Sequence, residues 1–194
     1  MIARIPCGVA LLFMASPAFA HSGTGLAGGF VAGVAHPLTG PDHMLAMFSV
    51  GLWGHFLRRP LIYLLPMIFP VIMSVGAGLG MLGVMLPPVE IGIALSVVIL
   101  GALIVFAVRA PVWIACAVVA LFALFHGFAH GVELPSAADP IGYSLGFVLA
   151  TGLLHVAGIA VGAVGLLSSG ERVLRGLGAI VFGIGLYFLW GAWS

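Results

Sequence analysis

The chemistry of this chain is concentrated in Phe125-His-Gly-Phe-Ala-His-Gly-Val-Glu133, where ionisable side chains sit inside a long apolar run. His126 and His130 are four residues apart and Glu133 is three further on. At that spacing the three side chains share one face of a helix. Two imidazoles and a carboxylate so placed suit a divalent transition metal or a proton relay. Ionisable groups are expensive in hydrocarbon, so their presence there points to function before packing. A second polar group of residues lies upstream in His36-Pro-Leu-Thr-Gly-Pro-Asp-His43. The two together are expected to meet in one metal-ion site within a membrane.

The elements that must position them follow from composition. Of 194 residues, 63% are hydrophobic and only 6% charged, and the mean hydropathy is +1.32. Soluble domains carry about 25% charged residues, so the chain is expected to be an all-α, polytopic bundle whose main partner is the lipid bilayer. There is no lysine and no basic patch, and the net charge of +1 gives no footing for nucleic acid. The two cysteines, Cys7 and Cys116, offer neither a disulfide to a processed chain nor a thiolate cluster. Any metal must be held by nitrogen and oxygen.

Residues 1–20 have the form of a cleavable signal peptide: Arg4, an apolar stretch, then Ala18-Phe19-Ala20. Cleavage would leave His21 as the N-terminus, where an α-amine beside an imidazole can chelate a divalent ion. The remainder, 21–194, reads as one transmembrane domain. Gly25 to Leu57 is apolar but broken at Pro37, Gly40 and Pro41. Later spans are expected near 61–83, 91–108, 112–131, 141–167 and 173–193.

Arginine positions decide how often the first stretch crosses. A single crossing puts Arg58, Arg59, Arg109, Arg172 and Arg175 together on the inner side, and the acidic turns around Glu90 and Glu133–Asp139 on the outer side. Two crossings would violate the positive-inside rule. About six spans follow, the first interrupted, with both termini outside. The interruption is expected to be a non-helical Pro-Leu-Thr-Gly-Pro segment, and broken backbone of this kind frames substrate sites in transporters.

Counted from the arginines at 1.5 Å per residue, His43, His126 and His155 come out at similar depth, roughly 22–26 Å up. His155 is therefore grouped with the two motifs. His55 lies at the inner boundary, as an interfacial residue or an exit ligand. Glu90 and Asp139 open helices, where an acid complements the dipole. Met44 and Met47 are expected to pack, and Trp53, Trp113, Trp190 and Trp193 to anchor span ends at the interface. Small-xxx-small patterns at Gly76–Gly80, Gly142–Gly146 and Gly158–Gly162 indicate close helix contact, within the chain or in a homo-oligomer. No P-loop is present, so the chain has no evident means of hydrolysing ATP.

At the two polar motifs, His36-Pro-Leu-Thr-Gly-Pro-Asp-His43 and Phe125-His-Gly-Phe-Ala-His-Gly-Val-Glu133, the sequence resembles the HupE/UreJ family of nickel and cobalt permeases. The leader ending in Ala-His, the length and the span count are similar too. The resemblance implies a secondary permease, not an enzyme, which takes Ni²⁺ or Co²⁺ as transported substrate. The metal would serve enzymes such as hydrogenase or urease. It implies function at His36, Asp42, His43, His126, His130 and Glu133; His155 and His21 rest on depth and chelation alone. Two rival readings remain. A di-iron hydroxylase needs more histidines than this chain offers, and on the cytoplasmic side. A membrane haem protein could use His126 and His155 at matching depth, but would leave Asp42 and Glu133 unexplained.

Overall fold

The computed structural model describes residues 26–86, 88–133 and 139–194. The predicted leader and His21 lie outside the described residues, as does the side chain of Glu133. The described residues form seven α-helices: α1 Leu26–Thr39, α2 Pro41–Leu57, α3 Leu61–Met81, α4 Val89–Val105, α5 Val112–Glu133, α6 Pro140–Gly162 and α7 Gly170–Trp193. A 3₁₀ turn, Ala163–Leu166, follows α6. Four segments are long and apolar enough to cross a membrane: α3, α5, α6 with its 3₁₀ extension, and α7. α4 is apolar but shorter. Large apolar side chains such as Leu145, Leu153 and Ile180 are exposed on the outer surface of the bundle, as hydrocarbon-facing residues must be. The chain is a polytopic helical membrane bundle.

The interrupted first span is shorter in its break than the sequence suggested. α1 stays helical through Pro37, and Gly40 alone leaves the helix, with extended φ/ψ of −87° and 102°. Proline removes one backbone donor. The His36 carbonyl is used by both the Gly40 N–H at 3.2 Å and the Thr39 hydroxyl at 3.1 Å, which closes the end of α1. Pro41 then starts α2 at a position where its missing N–H costs nothing.

Three tightly packed helix pairs make the bundle, and glycines set their direction. A Cβ on Gly29 or Gly33 would strike the backbone of Asp139 or Tyr143, and one on Gly51 that of His155. At Gly162 an added Cβ would strike His55. α1 and α2 therefore run end to end along α6, parallel to it, as one broken crossing. Gly127 and Gly131 lie on the carbonyls of Met73 and Ala77, so α3 and α5 are parallel. Gly101, Gly178 and Gly185 bring α4 and α7 together antiparallel. These directions agree with six alternating crossings. All three small-residue patterns are occupied within the chain: Gly76 and Gly80 on α5, Gly146 on α1, Gly158 and Gly162 on α2. A homo-oligomer would have to use another face.

The arginines gather at one end. Arg58 and Arg109 line a shared cleft with Glu171, and the Arg175 Nε–H donates to the Val105 carbonyl at 2.7 Å. At the opposite end the Asp139 carboxylate caps α6 by accepting from Ile141 N–H at 3.1 Å, the capping role expected of it. Trp113, Trp190 and Trp193 are exposed near helix ends, in keeping with interfacial anchoring, but Trp53 is not. Its side chain is fully buried and its indole N–H donates to the Val108 carbonyl at 3.1 Å. Its depth was legible; the side of α2 it occupies was not.

The glycine contacts give a stability prediction. Gly127→Val would force α5 away from the Met73 carbonyl, which lies 1.9 Å from an ideal Cβ. It is expected to destabilise the bundle by about 1–3 kcal/mol, read as a lower thermal midpoint in detergent. Gly183→Ala meets nothing within 4 Å and should leave the midpoint unchanged or raise it.

Candidate metal centre

Four imidazoles converge where the α1–α2 break faces α5. His36 comes from the last turn of α1, His43 from the first turn of α2, and His126 and His130 from the C-terminal half of α5. Ring centroids are 4.9 Å apart for His43 and His126, 4.6 Å for His43 and His130, and 4.8 Å for His36 and His130. His36 and His43 are 6.3 Å apart. On α5 each histidine is followed by a glycine, and it is those glycines, Gly127 and Gly131, that let α5 lie against α3. His126 and His130 are buried.

Two of the rings have their tautomer set by an oxygen acceptor. His43 Nδ1–H donates to Asp42 Oδ1 at 2.9 Å, and the same oxygen accepts the His43 backbone N–H at 2.8 Å. His126 Nδ1–H donates to the Phe122 carbonyl at 2.9 Å. A carbonyl can only accept, so the His126 proton is on Nδ1 when the ring is neutral. In both residues Nε2 is left buried without a hydrogen-bond partner. A neutral imidazole whose Nδ1–H is held by oxygen and whose Nε2 lone pair is free is the form that ligates metals. Asp42, predicted as a ligand, sits behind His43 as its orienting carboxylate.

Among the described residues, no three His, Cys, Asp or Glu side chains are placed to grip a single ion together. The arrangement is a run of imidazole pairs, His36 to His130 to His43 to His126, each pair offering partial coordination. Asp42 also lines an open cleft with Glu90, Tyr187 and Trp190 between α2, α4 and α7. Glu90 belongs to the first turn of α4, as a dipole complement should.

His155 does not join the cluster. Its backbone is level with Gly51, eight residues beyond His43 along α2, or about 12 Å deeper. The depth count from Arg172 misplaced it because α6 ends at Gly162 and the chain then folds back, with Gly170 against Val164, so that Arg172 already belongs to α7. Phe69 packs on both His126 and His155, with centroids 5.6 Å and 5.2 Å away. His55 stays near the arginine end, beside Gly162.

Nothing in the sequence singles out Phe69, Tyr143 or Phe147. Phe147 packs on His130 at 4.3 Å, and Tyr143 on His36 at 5.8 Å between centroids. Aromatic residues in apolar helices carry no signal of which ones line a polar site. The position of Tyr143 next to Gly142 and near Gly146 placed its turn at a helix contact, but not at this one.

The family model described as HupE / UreJ protein matches residues 9–188. The chain belongs to the HupE/UreJ family. It is 42% identical over 172 residues to Protein HupE of Rhizobium leguminosarum bv. viciae, covering 88% of this chain and 90% of the relative. No solved structure matches it. Family membership, together with that relative, supports a role related to nickel or cobalt transport.

The tautomers are open to direct measurement. Imidazole ¹⁵N shifts should report His43 and His126 as Nδ1-protonated at neutral pH. In Asp42→Ala the His43 signals should move to a mixture of tautomers while those of His126 hold. Unchanged His43 signals in the variant would show that Asp42 does not set that ring.

Proposed function

We propose that the protein is a secondary permease that carries Ni²⁺ or Co²⁺ across the bacterial inner membrane into the cytoplasm, for use by metalloenzymes such as hydrogenase or urease. The observation that carries this reading is the pair His43 and His126. Their centroids are 4.9 Å apart, both Nδ1 protons are held by oxygen, and both Nε2 atoms are buried and unpartnered. A buried polar atom without a partner costs about 1–3 kcal/mol. A passing cation that accepts both lone pairs would recover that cost.

Imidazole suits nickel, cobalt and zinc alike, and affinity follows the general divalent series, so selectivity rests on geometry. Transport requires an ion to be held firmly enough to lose water and loosely enough to leave. Imidazole pairs without a closed four-ligand cage meet that condition. The ion is taken from the outer side through the Asp42–Glu90 cleft, with His21 and Glu133 as further outer ligands. It passes among His36, His130, His43 and His126. The positive-inside rule assigns the arginine end to the cytoplasm. Both termini then lie in the periplasm, after removal of a signal peptide at Ala20, and the chain catalyses no reaction.

Uptake of radiolabelled Ni²⁺ at nanomolar concentration, in cells lacking their own nickel permeases, tests the reading. The wild-type protein should support uptake that Co²⁺ inhibits. His43→Ala and His126→Ala should each lower it at least tenfold at equal membrane abundance. Wild-type-like uptake by both variants would refute the assignment. Orientation has its own check: alkaline phosphatase fused after Ser194 should be active, and an inactive fusion of normal abundance would reverse the topology.

A further inference from the structure

Below the imidazole cluster, one ionisable side chain of the deep core has no place in the site described above. His155 is 1% exposed, and neither ring nitrogen has a hydrogen-bond partner. His126, by contrast, spends its Nδ1 proton on a backbone carbonyl. A neutral imidazole needs one donor and one acceptor partner, so His155 leaves both requirements unmet where an apolar residue would leave none. Packing alone does not account for a histidine here.

Its neighbours form a route. On one side Phe69, itself fully buried, packs on His155 and on His126. One turn back along α6, on the same face, the Thr151 hydroxyl donates to Met47 Sδ at 3.4 Å. In the other direction, two turns on, Gly162 lies against His55. Both ring nitrogens of His55 are likewise buried and unpartnered, and His55 borders the cleft of Arg58, Arg109 and Glu171 at the arginine end. Phe69 thus touches both His126 and His155, and α6 continues from His155 to Gly162, where His55 lies nearer the arginine end.

We propose that His155 is an inner station for the transported ion, distinct from the outer cluster and separated from it by Phe69. It receives a late first-row divalent ion from His126 and passes it toward His55. The thioether of Met47, which accepts from the Thr151 hydroxyl, lies beside this step and favours a borderline ion over a hard one such as Mg²⁺. The inference rests on the permease reading, and its test is built to fail separately from that reading.

Full-length protein in liposomes, with a metal-sensitive dye inside, gives Ni²⁺ influx as a function of external Ni²⁺. An inner station acts after capture, so His155→Leu should lower Vmax at least tenfold and leave KM within about twofold. Replacing an unsatisfied polar ring with an apolar side chain should leave the thermal midpoint unchanged or raise it. His155→Gln, which keeps a donor and an acceptor, should recover part of Vmax, and serves as the test should the leucine variant not fold. A Vmax within twofold of wild type in the folded variants would make His155 a packing residue and overturn the proposal. A raised KM at unchanged Vmax would place it with the outer cluster and overturn it equally. If the wild-type protein carries neither Ni²⁺ nor Co²⁺, it is the permease reading that falls.

Discussion

Seven residues of unbroken helix would carry His43 about 10 Å along the axis from His36; the two rings lie 6.3 Å apart because the helix is broken between them. That break is the constraint on which the site depends. A single extended residue, Gly40, ends α1 and redirects α2, so that both histidines reach His130 on α5. The same break puts the first turn of α2 at membrane depth, where Asp42 is at the positive end of a helix dipole and can bond the Nδ1 proton of its neighbour. A break at this depth exposes backbone polar groups that lipid cannot satisfy. The His36 carbonyl, which takes both the Thr39 hydroxyl and the Gly40 N–H, is how the chain meets that requirement.

Among the described residues, the imidazoles are arranged in pairs and not as a closed cage. A structural metal site closes four ligands around the ion and contributes to folding. Here the imidazoles come in pairs, and among the described residues no three ligating side chains close on one point. Helix contacts built on glycine hold the bundle together without metal, since α1 and α2 lie on α6, and α3 on α5, at backbone distance. The contacts that hold the bundle together are thereby separate from the imidazoles assigned to the ion in the proposed reading. Loss of an imidazole should be felt in binding far more than in folding.

Much of this was legible in the sequence, because membrane proteins obey few and strict rules. Hydropathy and five arginine positions placed the later spans to within a few residues of α3 to α7, and the small-residue patterns marked true helix contacts. The two polar motifs proved to be neighbours, as the cost of burying ionisable groups implied. What failed was anything that depended on rotation about a helix axis or on loop geometry. Trp53 was placed at the right depth but on the wrong side of α2, and His155 was placed too high because the count ran on past Gly162, where the chain folds back into α7. Phe69 and Phe147 were unreadable, since an apolar ring in an apolar helix looks the same whether it faces lipid, core or ligand.

The position of the imidazoles relative to the helix pairs bears on how such a site could release what it holds. His36 and His43 belong to the broken crossing that packs on α6, whereas His126 and His130 belong to α5, which packs on α3. The contacts within each pair are backbone to backbone at glycines and leave little freedom. Between the pairs, rings meet as well: His43 on His126 and His130, His36 on His130, and Phe69 of α3 on His155 of α6. Rings can turn about χ1 and χ2 where glycine-packed backbones cannot shift. The seam between the two pairs is thus where the imidazoles meet. An ion bound by His43 and His126 would tie the pairs together, and its binding energy would differ between any two arrangements of the seam, which is the condition for an ion to shift one into the other.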